Sequence, residues 1–468
     1  MSYTKIEATH LDFFIKTLGK KNVLTGKKVL DYSSDHTEDL IYQPEAVLFP
    51  ESTELVSQIV SYCNTNLIPI TPSASLTGLS GGALPYYKGV SISMKKMNKI
   101  LKIDKSNFQA LIEPGLINED FQNKLSEKGL FYPPDPASKG SCTLGGNIAL
   151  NAGGPKALKY GVTSNYVINL EVVLPNGSVI WTGANTLKNS TGYNLTQLMV
   201  GSEGTLGIIT KAVIKLISKP KYTLLMLIPF NDLSDSCDVV SKIFLEGISP
   251  SSIEFMEKPA LEIIQKTQFT HVPFELNENE KSYLLIELDG NKETNLLEHA
   301  EKLYSIFENY NCGEILIAET SAQKENLWKM RRNIGLAVKS YSIYKEEDTV
   351  VPRNKLPDLI SGVKRIGEEY NFNSICYGHA GDGNLHVNIL KEHLSDSDWN
   401  IVVKKGIREI FNLCVKLGGT ISGEHGIGLV QKDYIDIPFS KEMISLQKEI
   451  KFLFDPNNIM NPGKIFPD

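Results

Sequence analysis

Residues 133–154 read PPDPASKGSCTLGGNIALNAGG, and upstream 69–85 read PITPSASLTGLSGGALP. With GSEGTLGI at 201–208 they make three glycine-dense stretches in the first half of the chain. Backbone without Cβ atoms can approach an anion and aim several N–H groups at it, so such stretches point to phosphate contact. Two standard phosphate sites fail on spacing. A Walker loop needs GxxxxGK followed by Ser or Thr, and GSCTLGGN (140–147) lacks the lysine. The dinucleotide fingerprint needs GxGxxG directly after the first strand of a βαβ unit; no such string exists, and the first cluster follows a second strand. Turns in a glycine-rich β structure explain one cluster easily. Three favour a nucleotide cofactor.

Around these clusters the pattern is strand (AVLF, from Ala46), helix (Thr53 to Asn64) and strand (IPIT). Leu55, Ile59 and Tyr62 recur at helical spacing with Val56, Val60 and Cys63 beside them, a broad stripe that predicts burial. VVLPNGSVIW (172–181) alternates around Asn176-Gly177 and reads as a β-hairpin. Near Lys219-Pro220 glycine thins out. Apolar strands YTLLMLIPF (222–230) and SYLLIELDG (282–290) then alternate with helical stretches such as 295–310, the pattern of a separate α+β domain with an antiparallel sheet. A strand pair, NSICYGHA and NLHVNIL, precedes a helix from about Asp396 to Leu417, stopped by Gly418-Gly419. The end, FDPNNIMNPGKIF, predicts turns packed back on the body.

The 468 residues suit two or three domains and can form a cleft. A net charge of −6 without a basic tract argues against nucleic acid. The N-terminal stretch lacks a basic start and apolar run, and no later segment has the apolar length of a membrane span, so the chain reads as cytoplasmic. Cys63, Cys142, Cys237, Cys312, Cys376 and Cys414 are widely spaced, which disfavours an iron–sulfur cluster or a disulfide framework. Asn189 and Asn194 match glycosylation acceptors only by chance.

The two opening stretches and YNLTQLMVGSEGTLGIIT (193–210) resemble, in order and spacing, the FAD-binding domain of vanillyl-alcohol oxidase type flavoproteins. With GHAGDGNLH (378–386), SGEHG (422–426) and DPNNIMNPGK (455–464), the resemblance narrows to the group formed by the D-type subunit of glycolate oxidase, D-lactate dehydrogenase and D-2-hydroxyglutarate dehydrogenase. It implies an α+β protein. A two-part FAD-binding domain of the p-cresol methylhydroxylase (PCMH) type spans 1–218, with an N-terminal helical lead-in. An α+β cap, or substrate, domain spans 219–420, and a helical C-terminal segment, 421–468, packs back near the flavin.

The resemblance implies that the pyrophosphate lies between two loops. One offers Pro72, Ser73, Ala74, Ser75, Leu76, Thr77, Gly78, Ser80 and Gly81. The other offers Cys142, Thr143, Gly145, Gly146 and Asn147, supported by Pro114, Gly115, Pro134, Asp135 and Asn151. Glu203, Gly204, Gly207, Ile208 and Ile209 are implied along the adenosine side, with Asn461 from the C-terminal segment. The related loop usually reads Pro-Arg-Gly-x-Gly-Thr, and this chain departs from it at 73–76. Side chains replace glycines that would adopt positive φ, which predicts weakened FAD retention, with serine hydroxyls compensating. No histidine stands in this loop to attach FAD, so the flavin is expected to be noncovalent.

In NLHVNIL, if extended, His386 and Asn388 share one face and Leu385, Val387 and Ile389 the other. The GDGN turn can fold His379 back beside His386, and Glu424 can add a carboxylate. Two imidazoles and an acid suit zinc or manganese and leave coordination positions open. On spacing alone, paired histidines by a tight turn are more often hydrogen-bonded structural residues. The resemblance implies that His379, His386 and Glu424 are the metal ligands. If the chain is near extended, His425 points away from Glu424. The resemblance makes it the base that takes the substrate hydroxyl proton, and a ligand-orienting role is its alternative. It also places Arg331 and Lys345 near the substrate, with Asn388 in the catalytic set.

The expected reaction is FAD-linked oxidation of a D-2-hydroxy acid (D-lactate, glycolate or D-2-hydroxyglutarate) to the 2-oxo acid. Electrons would pass to a quinone or an electron-transfer protein rather than to NAD. Peripheral membrane contact and a homodimer are compatible arrangements. The alternatives are a metal-dependent hydrolase using the same three ligands without flavin, and a noncatalytic flavin-binding subunit of a glycolate oxidase complex.

Overall fold

A computed structural model of the chain describes residues 3–37 and 40–467. It forms two compact units. The first takes the residues up to Gly153, Val162–Lys219 and those from Glu424 onward; the second takes Gly154–Gly161 and Pro220–Gly423. Residues 421–423, grouped by sequence with the C-terminal segment, therefore stay with the second unit.

In the first unit, strands Ala46–Leu48, Val90–Ser93 and Ile70–Ser73 lie parallel, with Val23–Leu24 antiparallel at one edge. The βαβ pattern holds, with Val90–Ser93 inserted between the two strands read from sequence. Ser52 caps helix Thr53–Thr65 by accepting from the Leu55 N–H at 3.4 Å. Val56, Ile59, Val60 and Cys63 are buried in the sheet core. Tyr62 stacks on Phe13 of the first helix, Ala8–Leu18, with centroids 3.7 Å apart. The apolar stripe is wide because the helix is covered on two sides. Beyond the parallel sheet, Met460 runs alongside Ile70, and the Ile70 and Asn461 N–H groups exchange bonds with Ile459 and Ile70 carbonyls at 2.7 Å.

A five-stranded antiparallel sheet completes this unit, ordered Ile100–Asp104, Gln109–Ile112, Ile208–Lys215, Val167–Val173, Val179–Trp181. The last two strands are the expected hairpin. Val173 pairs with Val179, and Gly177 takes φ 86° in the turn, which any Cβ would strain.

The second unit is built on a seven-stranded sheet in which every pairing is antiparallel. Its order is Leu316–Ala318, Tyr222–Phe230, Ser282–Gly290, Ser252–Glu257, Asn373–His379, Asn384–Leu390, Tyr344–Val350. Helices Leu233–Leu245, Glu293–Phe307, Leu356–Tyr370 and Val403–Lys416 pack on it. The face carrying Leu225, Leu227, Met256, Tyr283, Leu285 and Tyr377 is covered in part by helices Lys258–Thr267, Ser321–Arg332 and Ile334–Tyr341. The rest of that face is a buried polar strip, where Ser252, Glu254, His379, His386, Asp348 and Asn388 follow from strand register.

Candidate active site

The polar strip starts at the turn joining Asn373–His379 to Asn384–Leu390. The His379 carbonyl accepts from the Asp382 and Gly383 N–H groups at 3.3 and 3.1 Å. Gly383 is required there, because its φ is 85° and a Cβ would sit 1.9 Å from the Val351 carbonyl oxygen. This turn brings the His379 and His386 rings edge to face with centroids 5.4 Å apart, as the spacing predicts.

Glu254 of the neighbouring strand was not singled out by sequence. Its carboxylate, completely buried, accepts from His379 Nδ1 at 2.8 and 3.0 Å and forms an ion pair with Arg331 Nη2 at 2.7 Å. Burial alone raises a carboxyl's pKa, but His379 and Arg331 outweigh it here and hold Glu254 below its ordinary value. A carboxylate only accepts, so Nδ1 carries the hydrogen of this bond, the arrangement by which an acid fixes the orientation of a histidine. Arg331, in an unpromising basic helix end, is thus buried; neither its Nε nor its Nη2 makes a well-aligned hydrogen bond. Its guanidinium lies 5.2 Å from the Tyr377 ring centroid.

His386 lies between Tyr377 and Asp348 in register. Its Nδ1 is 3.5 Å from Glu346 Oε1 and 3.8 Å from Asp348 Oδ1. Asp348, also unremarked in sequence, accepts from Asn384 Nδ2 at 2.7 Å, Ser422 Oγ at 3.0 Å and the Gly423 N–H at 2.7 Å. Gly423 is needed because a Cβ would lie 2.6 Å from Asn384 Nδ2. Asp348 thereby anchors the chain one peptide bond before Glu424. Asn388, buried beside the Tyr377 hydroxyl, makes no well-aligned hydrogen bond.

Two expectations need correction. Lys345 pairs with Ile389, so it stands on the opposite side of the sheet from His386 and Asn388, with its ammonium 4.7 Å from the Trp399 ring centroid. It is not on the ligand-bearing face. His425 does not turn away from Glu424, because the chain bends at 423–425 before Gly426 at φ 79°; His425 Nε2 is 3.9 Å from Glu424 Oε1.

In the first unit, the backbone N–H groups from Ser75 to Gly82 donate to no backbone carbonyl among the described residues. The Ser73 and Ser80 hydroxyls are buried without hydrogen-bond partners. A loop whose N–H groups have no backbone acceptor suits an anion such as a pyrophosphate. Positive φ persists at a position without glycine: Leu76 takes 58°. The second loop is packed tightly, since a Cβ on Gly145 would lie 2.5 Å from Pro114 Cβ and one on Gly115 2.2 Å from the Met94 carbonyl oxygen.

Several proposed cofactor residues are engaged by the fold itself. Thr143 Oγ1 accepts from the Gly146 N–H at 3.3 Å, Asn147 Nδ2 donates to Asn118 Oδ1 at 3.3 Å, and Asn151 Oδ1 accepts from the Ser164 N–H at 2.8 Å. The buried Glu203 carboxylate takes the Ile427 and Gly428 N–H groups, each at 2.8 Å, and so clamps the C-terminal segment. Asn461 Nδ2 ties Gly82 to Glu203 through their carbonyls at 2.8 and 2.7 Å. Lys464, which the sequence reading passed over, is buried and donates to the Leu84 carbonyl at 2.6 Å. Burial pushes its ammonium down to about 7, against the pull of Glu203 and Asp35.

Residues 44–183 match the family described as FAD binding domain, and 219–465 match FAD linked oxidases, C-terminal domain. The chain belongs to this family of FAD-linked oxidoreductases. It is 38% identical to the D-lactate dehydrogenase of Anaerostipes hadrus, over 99% of this chain and 98% of that one. It is 39% identical to the glycolate oxidase subunit GlcD of Bacillus subtilis (93% and 92%) and 35% identical to the D-2-hydroxyglutarate dehydrogenase of Stutzerimonas stutzeri (97% and 98%). Among solved structures, p-cresol methylhydroxylase aligns with TM-score 0.81 at 18% identity, covering 100% of this chain and 98% of that one. An alkyldihydroxyacetonephosphate synthase aligns at 0.76 and 17%, covering 99% and 86%. These likenesses show the PCMH-type fold.

Proposed function

We propose that the protein oxidises a D-2-hydroxy acid to the 2-oxo acid, with His379, His386 and Glu424 holding zinc or manganese and His425 as base. The observation that carries this reading is the Glu254–His379 bond, in which a buried carboxylate orients one imidazole beside a second histidine. The names of the relatives support the substrate class.

When bound, FAD supplies a two-electron acceptor for the C2 hydride. A divalent cation in the proposed ligand set would supply Lewis acidity toward the substrate's carboxylate and hydroxyl oxygens. Arg331 offers its unspent Nε to the substrate carboxylate, and Glu254 fixes that guanidinium. His425 takes the hydroxyl proton on a ring nitrogen as the C–H electron pair departs. Asn388 holds an unspent amide on the His386 face, available to the same oxygens. Electrons then leave for a quinone or an electron-transfer protein. No helix among the described residues is long and apolar enough to cross a membrane.

The test is anaerobic addition of D-lactate, glycolate and D-2-hydroxyglutarate to FAD-loaded protein, with and without a chelator. Metal-dependent bleaching of the flavin by at least one acid is expected. A flavin that stays oxidised with all three rules the reaction out.

A further inference from the structure

The polar strip also bears on which hydroxy acid fits, an inference that rests on the reaction proposed above. Sequence offers Arg331 and Lys345 as cations for a second substrate carboxylate. Lys345 faces the other side of the sheet. Arg331 is already matched by the buried Glu254, at 2.7 Å. With its charge so matched, its unbonded N–H groups suit a single carboxylate.

On the ligand-bearing face, the residue directly across from Asn388 is Glu346. Its side chain is only 10% exposed, and Oε1 is 3.5 Å from His386 Nδ1. On the far side of Asn388 the paired residue is Ile375, and one step further along are Tyr344 and Leu390. A substrate extending from the histidines along this strip therefore meets an acid, then an apolar floor. The geometry points to Glu346 as a specificity-determining residue that admits 2-hydroxy acids with one carboxylate and a short neutral side chain, and rejects those carrying a second carboxylate. A second substrate carboxylate placed against the Glu346 carboxylate is repelled by it, since like charges brought together are unfavourable.

The experiment compares kcat/KM for D-lactate and D-2-hydroxyglutarate in the metal- and FAD-loaded full chain, for the native protein, Glu346→Gln and Glu346→Lys. We expect the native protein to favour D-lactate by roughly 100-fold, Glu346→Gln to cut that preference about tenfold, and Glu346→Lys to cut it further. As a second readout, pyruvate should perturb the oxidised flavin spectrum of the native protein far below the concentration of 2-oxoglutarate needed, with the gap closing in Glu346→Gln. Equal use of both acids by the native protein, or an unchanged ratio and unchanged product binding in Glu346→Gln, overturns the assignment. Bleaching by D-2-hydroxyglutarate alone would sink the selectivity and leave the reaction standing; no bleaching by any acid would remove both.

Discussion

Glu254 and His379 are 125 residues apart in sequence, and their side chains meet at 2.8 Å inside a sheet with no solvent access to the carboxylate. Arg331 completes the arrangement at 2.7 Å. A buried acid thus serves a candidate metal ligand and a candidate substrate-binding cation at once.

Replacing it should damage both. Glu254→Ala leaves a buried guanidinium uncompensated and is expected to lower stability by about 3–5 kcal/mol in urea unfolding. The milder Glu254→Gln should fold yet bind zinc roughly 10–100-fold more weakly in a competition titration. Unaltered zinc affinity in Glu254→Gln would show that the carboxylate does not orient His379.

His425→Ala should retain flavin absorbance and zinc content but lose flavin reduction by substrate, by about 100-fold or more in single turnover. Retained reduction would assign the base elsewhere.

Leu76 sits at φ 58°, where a leucine costs about 1–2 kcal/mol. Glycine relieves that strain but returns about 0.5–1 kcal/mol through the unfolded chain. Leu76→Gly should therefore stabilise the apoprotein slightly, by about 0.5–1 kcal/mol, read from the urea midpoint. A destabilised variant would mean that the leucine side chain contributes more packing than its backbone costs.

Lys464 gives the apoprotein a pH dependence of known sign. Its folded pKa is depressed from 10.5 to about 7, chiefly by burial, so between those values the unfolded chain binds the extra proton. Stability from this group rises with pH from about 7 toward 10.5, by up to about 1.4 kcal/mol per unit, and is flat below. Lys464→Met should flatten the rise in chemical denaturation at pH 7.5 and 9.5. A slope identical to the native protein's would place the ammonium in a more solvated setting.

Dialysis against a chelator should leave the flavin bound while abolishing its reduction by D-lactate, and zinc or manganese should restore it. Full reduction of metal-free protein would leave His379 and His386 with a structural role only.

The histidine pair was legible because a two-residue alternation and a glycine turn are local properties: NLHVNIL fixes which side chains share a face, and GDGN fixes the reversal. Glu254 was not, since an acid alternating with Ile253 and Phe255 reads as the wet side of a strand until its neighbour is known. Lys345 was misplaced for a related reason. The basic run 328–345 crosses from helix into strand, and the phase of the side chains is reset at 342–343 by a pairing that only the folded sheet supplies. The glycine loops were readable as an anion cradle, yet Glu203 spends its carboxylate on Ile427 and Gly428, residues more than two hundred positions away.

The clamp of Glu203 on Ile427 and Gly428, with the bridge from Ile70 to Met460, makes the first unit depend for its closure on residues far along the chain, with a consequence expected during synthesis. As the chain leaves the ribosome, the seven-stranded sheet has all its strands once Leu390 has emerged. The flavin-binding unit, begun first, still lacks its closing partners until the last forty or so residues appear. A premature stop in that final stretch would thus release a finished second unit attached to an open first one, which makes nascent-chain stalling there a direct way to trap the unclosed cofactor fold.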